Sequence, residues 1–358
     1  MKSARKEQSA SPPPFKHHIP ESISAAVGRC LALLPTIVLG SGSSAAFGVP
    51  GMPALQAHLL QRITLEDKAD EDAWLLVKTA LTAGDDLETA LLKNKVSDGL
   101  SRQIIDATWS LIAKADADIF ERIAVGDLEL PLTRLLRWLT RSTHHEVPIV
   151  TTNYDRLAEY AADAAGMVHL NGFAPGYLRN RETATPYRIM RGKQRARTAR
   201  LWKVHGSLDW FERKGNEIVC ARFAGQRPAA LQPVIVTPGV EKFQRTHLEP
   251  FRSIMTGADI ALETANATLC IGYGFRDKHI EPKLVDRCTD HNIPIVVLAK
   301  LLTNEAREFL RRHAGGNYVA FEEAGSGTRY FSSDAPNGGI IPDARLWDLD
   351  EFLKQFTA

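Results

Sequence analysis

The sequence predicts an α/β fold: a Rossmann-like, doubly wound parallel sheet carrying a helical insert. Three observations predict it. Short apolar, β-branched runs recur along the chain, such as Thr36-Ile37-Val38-Leu39 and Ile293-Pro294-Ile295-Val296-Val297-Leu298. Helical periodicity falls between several of them. The first run leads straight into Gly40-Ser41-Gly42-Ser43-Ser44-Ala45, a G-x-G-x-x-G/A turn between strand and helix. Strands this short and without polar alternation are buried on both faces, as in parallel sheets covered by helices.

Length and composition set the bounds. A chain of 358 residues holds two or three domains, or one large domain with an insert, at roughly 100–200 residues per domain. With 44 Lys and Arg against 42 Asp and Glu, the net charge is +2, which excludes a surface coated in basic residues but leaves room for a local patch. No apolar run reaches the roughly 18 residues of a membrane span. Cys30, Cys220, Cys270 and Cys288 form no CxxC pair, so neither a zinc ribbon nor a thioredoxin-like motif is present. They read as buried thiols of a reducing compartment. The N-terminus lacks the apolar core of a signal peptide, and a cytoplasmic location is expected.

In chain order, residues 1–20 read as a flexible tail containing Ser11-Pro12-Pro13-Pro14, its His17-His18 pair solvated rather than metal-binding. A main domain is expected over 21–300. Its first apolar run spans 31–39 and ends in the β-branched Thr36-Ile37-Val38-Leu39. From about 54 to 143 the spacing turns helical, as in Trp74-Leu75-Leu76-Val77 and in Leu132, Leu135, Leu136 and Leu139. Asp85 and Asp86 suit a helix start before Leu87. Strand-like runs return at Val147-Pro148-Ile149-Val150-Thr151, Trp202-Lys203-Val204, Val234-Ile235-Val236, Thr268-Leu269-Cys270-Ile271 and 293–298. Helices are expected at 156–165, 248–265 and 304–313. Such alternation implies βαβ units in one parallel sheet. Residues 301–358 complete the domain or form an interface. Trp347, Leu349 and Phe352 suggest a terminal amphipathic helix packed on the core.

Sheets of this class bind ligands at the carboxyl ends of their strands. An ordinary dehydrogenase places its second strand within about 30 residues, ending in an acidic residue, whereas here the next strand comes roughly 100 residues later. Three more strand ends are polar or glycine-rich. They are Thr151-Thr152-Asn153-Tyr154-Asp155, Lys203-Val204-His205-Gly206-Ser207 and Gly272-Tyr273-Gly274-Phe275-Arg276-Asp277-Lys278-His279. Each alone has an ordinary reading: an Asx turn, a structural histidine, a tight turn. Four in one sheet converge on a cleft.

The ordered set resembles the sirtuins, specifically the sirtuin-like domains of bacterial antiphage defence systems. The matching pieces are Gly40-Ser41-Gly42-Ser43-Ser44 with Phe47-Gly48-Val49-Pro50, then Thr152-Asn153-Tyr154-Asp155, His205-Gly206-Ser207, and Gly272-Tyr273-Gly274-Phe275 through Asp277 and His279. They span roughly residues 30–300. Protein-deacylating sirtuins carry two CxxC zinc pairs and usually an aliphatic residue where this chain has Tyr154. The zinc-free domains of defence systems instead cleave NAD with water.

The resemblance therefore implies an NAD+ glycohydrolase with NAD as substrate and no zinc. It gives Asn153 the task of orienting water or the ribose hydroxyls. It makes His205 the general base, a task histidine suits near neutral pH. Asp155, with Thr152 beside it, would accept a hydrogen bond from the nicotinamide carboxamide. Gly40, Ser41, Gly42 and Ser43 would cradle the pyrophosphate. Gly272, Tyr273, Gly274 and Phe275 would lie near the adenosine half, with Asp277 holding the turn. It also implies a homo-oligomer controlled by a separate protein, a HerA-type ATPase in one arrangement and an Argonaute-type protein in another. The alternatives are an NAD-dependent protein deacylase and a non-catalytic NAD- or ADP-ribose-binding subunit. Seven basic residues, Arg188, Arg191, Lys193, Arg195, Arg197, Arg200 and Lys203, follow one another without an acidic interruption. They read as a solvated loop beside the cleft in preference to a nucleic-acid surface.

Overall fold

The computed structural model describes residues 18–65, 68–94, 96–181, 187–223, 227–237 and 249–357. Most of the expected tail, with His17, lies outside the described residues, as does Leu248.

The first half of the chain comprises α1 (Glu21–Ala32), β1 (Thr36–Leu39), α2 (Gly42–Ala45), α3 (Met52–Arg62), α4 (Lys68–Thr82), α5 (Leu87–Lys93), α6 (Asp98–Ala124), α7 (Pro131–Leu139), β2 (Glu146–Thr151), α8 (Leu157–Ala164) and β3 (Val168–Leu170). Then come β4 (Leu178–Asn180), β5 (Met190–Arg191), β6 (Gln194–Arg195), β7 (Thr198–Lys203), β8 (Gly206–Arg213), β9 (Glu217–Ala221) and β10 (Gln232–Ile235). The remainder is α9 (Phe251–Glu263), β11 (Thr268–Ile271), α10 (Glu281–His291), β12 (Ile295–Leu298), α11 (Asn304–Arg312), β13 (Tyr318–Ala324), β14 (Gly327–Ser332), β15 (Gly339–Ile341) and α12 (Leu349–Phe356).

The main sheet has the order β15-β14-β13-β12-β11-β1-β2-β7-β3. Seven strands run parallel, and β14 and β15 extend one edge in antiparallel fashion. Side-chain alternation splits β1 and β12 between two cores. Ile37, Leu39, Val296 and Leu298 join one with Leu135, Leu157 and Phe352, whereas Val38, Ile295 and Val297 join the other with Phe251, Leu284 and Phe309. Helices on both faces explain why these strands are uniformly apolar. The chain leaves β1 toward β2 on one side and returns to β11 on the other. β1 is therefore the switch point where ligand clefts open.

Several boundaries differ from expectation. Residue Leu31 closes α1 rather than opening a strand; Ile23, Val27, Cys30 and Leu31 are its buried face. The helical insert divides. Leu55, Leu59, Trp74, Val77, Leu91, Leu100 and Ile104 form a small core of their own, while Ile112 and Ile119 of α6 and the leucines of α7 belong to the main core. Residues Val234 and Ile235 leave the parallel sheet and pair with β8 in a second sheet of order β10-β8-β9-β4. A three-residue apolar run carries no mark of strand direction. Gly206 makes this departure from β7 feasible. It has φ +88°, and a Cβ there would lie 2.2 Å from the Val234 carbonyl oxygen. The C-terminal residues complete the sheet and its cover, with Phe352 fully buried near Phe321.

Candidate active site

The site grows from the loops at the carboxyl ends of β1, β2, β7 and β11. Two of these loops touch backbone to backbone. The Gly42 amide donates to the Gly272 carbonyl at 3.1 Å, and the Gly40 amide to Ile271 at 3.1 Å. The glycine spacing thus serves a loop–loop contact, where no side chain fits. The amides of Gly40, Gly42, Ser43 and Ser44 all have partners within the protein. What the turn offers the cleft is shape more than free donors.

Asn153 ties the β2 loop to this turn. Its Nδ2 donates to the Gly40 carbonyl at 3.0 Å and reaches the Ser44 hydroxyl at 3.1 Å and the Ser43 hydroxyl at 3.3 Å. Its backbone amide donates to Thr151 Oγ1 at 3.1 Å. Ser44 carries no mark in the sequence beyond its place in the glycine pattern, yet it contacts Asn153 and hydrogen-bonds Asp155.

His205 sits in the turn between β7 and β8, its backbone carbonyl accepting from Val236 at 2.8 Å. Its Nε2 lies 2.8 Å from Asp277 Oδ2. The other Asp277 oxygen accepts from the amides of His279 at 2.9 Å and Ile280 at 3.2 Å. Asp277 therefore does two tasks, holding its own turn and facing the histidine. Only the first is legible in the sequence, because the partner lies on a different strand end.

A cavity of about 490 Å³ opens at this point, within the range of small-molecule sites. Gly40, Ser41, Gly42, Thr152, Asn153, Asp155, His205, Gly272, Tyr273, Gly274 and Asp277 line it. Met52 lines it too, with Leu55, Glu88 and Ile112 of the insert. A second cavity of about 460 Å³ adjoins it, walled by Ser43, Phe47, Leu130, Leu157, Trp347 and Leu349. Gly42, Ser44, Asn153, Asp155, Gly272 and Lys300 border both. Phe275 borders neither. It is fully buried against Phe309 at 4.6 Å between ring centroids, with φ +56°, so its side chain belongs to the core and not to a ligand-facing wall.

Asp155 is buried, and desolvation pushes its carboxyl up to about 6, against the opposing pull of Lys203. Asp116 adds to the rise, and hydrogen bonds from Ser44 and the Leu157 amide oppose it. The adjacent ionic groups are buried too, except Arg156, which is half-buried. Arg156 and Tyr160 both reach Asp116 Oδ2 at 2.6 Å, and Arg179 reaches Asp209 at 2.6 Å. Thr303 closes the far end. Its hydroxyl donates to the Gly274 carbonyl at 2.6 Å and caps α11 through the Ala306 amide at 3.0 Å. Thr303→Ala is expected to cost about 1–2 kcal/mol, read as a lower urea midpoint.

The basic run does not act as one surface. Arg188, Arg191, Lys193, Arg195 and Arg197 are exposed around the β5–β6 hairpin. Arg200 pairs with Glu146 at 3.2 Å, and Lys203 is buried. The four cysteines are free and buried. Among the described residues, no group of three or more His, Cys, Asp or Glu could hold a metal ion, and no helix is long and apolar enough to cross a membrane.

Residues 147–290 match the family model described as "SIR2-like domain". Among solved structures, "Structural Basis for the Mechanism and Regulation of Sir2 Enzymes" is similar at 12% identity and TM-score 0.44, covering 94% of this chain and 98% of that one. "Crystal structure of a Sir2 homolog-NAD complex" is similar at 14% identity and TM-score 0.43, covering 85% and 91%. No curated protein matches the sequence.

Proposed function

We propose that this chain, which carries a SIR2-like domain over residues 147–290, is an NAD+ glycohydrolase that yields nicotinamide and ADP-ribose. One observation carries the reading. His205 meets Asp277 at 2.8 Å in a cleft whose other walls are Asn153, Asp155 and the glycine turns. The Asp277 carboxylate faces the Nε2 edge of the imidazole as an ion-pair partner, and Nδ1 is the nitrogen assigned to accept the proton.

The chemistry then balances without a general acid. The bond between ribose C1′ and the nicotinamide nitrogen breaks, and its electron pair stays on that nitrogen, which becomes neutral. Water oxygen bonds to C1′, and its proton passes to Nδ1 of His205. Asn153 holds the turn that cradles the pyrophosphate and orients the water or the ribose hydroxyls. Asp155 accepts from the carboxamide. Placement of the reactants accounts for most of the acceleration. In a cell such an activity depletes NAD. A role in antiphage defence, as a homo-oligomer released by a partner such as a HerA-type ATPase, follows from the sequence resemblance.

The reading is tested by nicotinamide release from NAD with and without an acetyl-lysine peptide. Release independent of the peptide is expected; strict dependence on it contradicts the reading. The buried Asp155 carboxyl, at about 6, adds a pH signature. The ionised form accepts the carboxamide N–H more strongly than the neutral acid, so kcat/KM should fall as pH drops through about 6. Asp155→Asn should shift that limb, leaving only the part set by the base. A wild-type rate that stays level from neutral pH well into the acid range contradicts this role.

A further inference from the structure

Lys203 ends a run of basic residues, yet its side chain is 0% exposed. Its Nζ lies 3.3 Å from Glu159 Oε1, also fully buried, and donates to the backbone carbonyl of Asp155. A buried lysine is expensive, and an apolar pair of similar volume is often as stable or more so. Stability alone therefore does not account for it.

The loop it touches is held from other directions by neutral or acidic groups. Asp116 of α6 accepts from the Arg156 amide at 2.6 Å, and the Leu208 amide donates to the Tyr154 carbonyl at 3.0 Å. The Tyr154 hydroxyl donates to Val236 at 2.5 Å. We propose that Lys203 is a positioning residue for the cleft: it holds the Asp155 loop through the Asp155 carbonyl and sets its positive charge against the buried Asp155 side chain. This rests on the reading that Asp155 receives the carboxamide of the substrate.

The charge balance around Asp155 supports it. Lys203 from β7 pulls its titration down and Asp116 from α6 pushes it up, with Ser44 of α2 hydrogen-bonded to it. Arg156 of the same loop is committed to Asp116, and Glu159 of α8 to Lys203. Lys203 is thus the cation set against the burial of this carboxyl.

The experiment is a carbon-13 NMR titration of the Asp155 carboxyl without substrate, assigned with Asp155→Asn. The double variant Lys203→Met with Glu159→Gln removes both buried charges, so no ion is left uncompensated. Its Asp155 midpoint should rise from about 6 toward the roughly 8–9 of buried carboxyls lacking a counter-charge. Nicotinamide release at pH 7 should then fall about tenfold or more, in step with the ionised fraction. Glu159→Gln alone frees Lys203 to act on Asp155 and should lower the midpoint, so either folded variant decides the matter. An unchanged midpoint in a folded variant overturns the proposal. If wild-type protein releases no nicotinamide even with its partner added, the hydrolase reading fails, while the titration still decides the role of Lys203.

Discussion

His205→Ala is expected to cut nicotinamide release by about 10²–10⁴-fold, the usual cost of removing a catalytic base. Its fold should survive. The side chain lines a cavity instead of filling the core, and the backbone bond from Val236 does not need the imidazole. Asp277→Asn separates positioning from base chemistry. Asparagine keeps an oxygen for the His279 and Ile280 amides, so the turn stays capped. It also replaces the carboxylate facing Nε2 with a neutral amide, which removes the charge set against the imidazole. A smaller loss than for His205→Ala is expected, with a thermal transition close to wild type. Full activity in a folded His205→Ala protein removes His205 from the mechanism.

Gly272→Ala is expected to cost about 3 kcal/mol or more, the sum of a left-handed backbone and overpacking that cannot relax. Gly272 has φ +59°, and a Cβ there would lie 2.1 Å from the Ser43 amide nitrogen and 2.3 Å from the Gly42 carbonyl carbon. Both obstacles are backbone. The opposing side has no slack, since a Cβ on Gly40 would lie 2.4 Å from the Gly272 oxygen. Guanidinium denaturation should show a lower midpoint, and the surviving protein should lose activity, because this contact shapes the wall between the two cavities. Wild-type stability in Gly272→Ala contradicts the close approach of the two loops.

The parts legible in sequence were those with local signals. Apolar runs ending in Gly40, Asn153, His205 and Gly272 marked the strand ends, because a buried strand that stops at polar residues or glycine has little other reading. The parts that were not legible depend on distant partners. Lys203 looks like the tail of a solvated run, and only Glu159 on another element explains its burial. Asp277 announces a turn, but its second task needs His205. Phe275 stands in a glycine-rich stretch that reads as ligand-facing, whereas its ring turns inward to Phe309. The antiparallel sheet of β8, β9, β10 and β4 has no local signal, because its direction is set by pairing rather than composition.

The most direct test of the central claim is to incubate the protein with NAD in water labelled with heavy oxygen and analyse the products by mass spectrometry. Where a regulator is required, the partner is added to the same reaction. The account predicts nicotinamide and ADP-ribose in equal amounts, with the label on the ribose carbon that held nicotinamide, and both reduced about 10²–10⁴-fold in His205→Ala. An acyl-ADP-ribose formed only with an acyl-lysine peptide, or NAD bound and never cleaved under either condition, would contradict it.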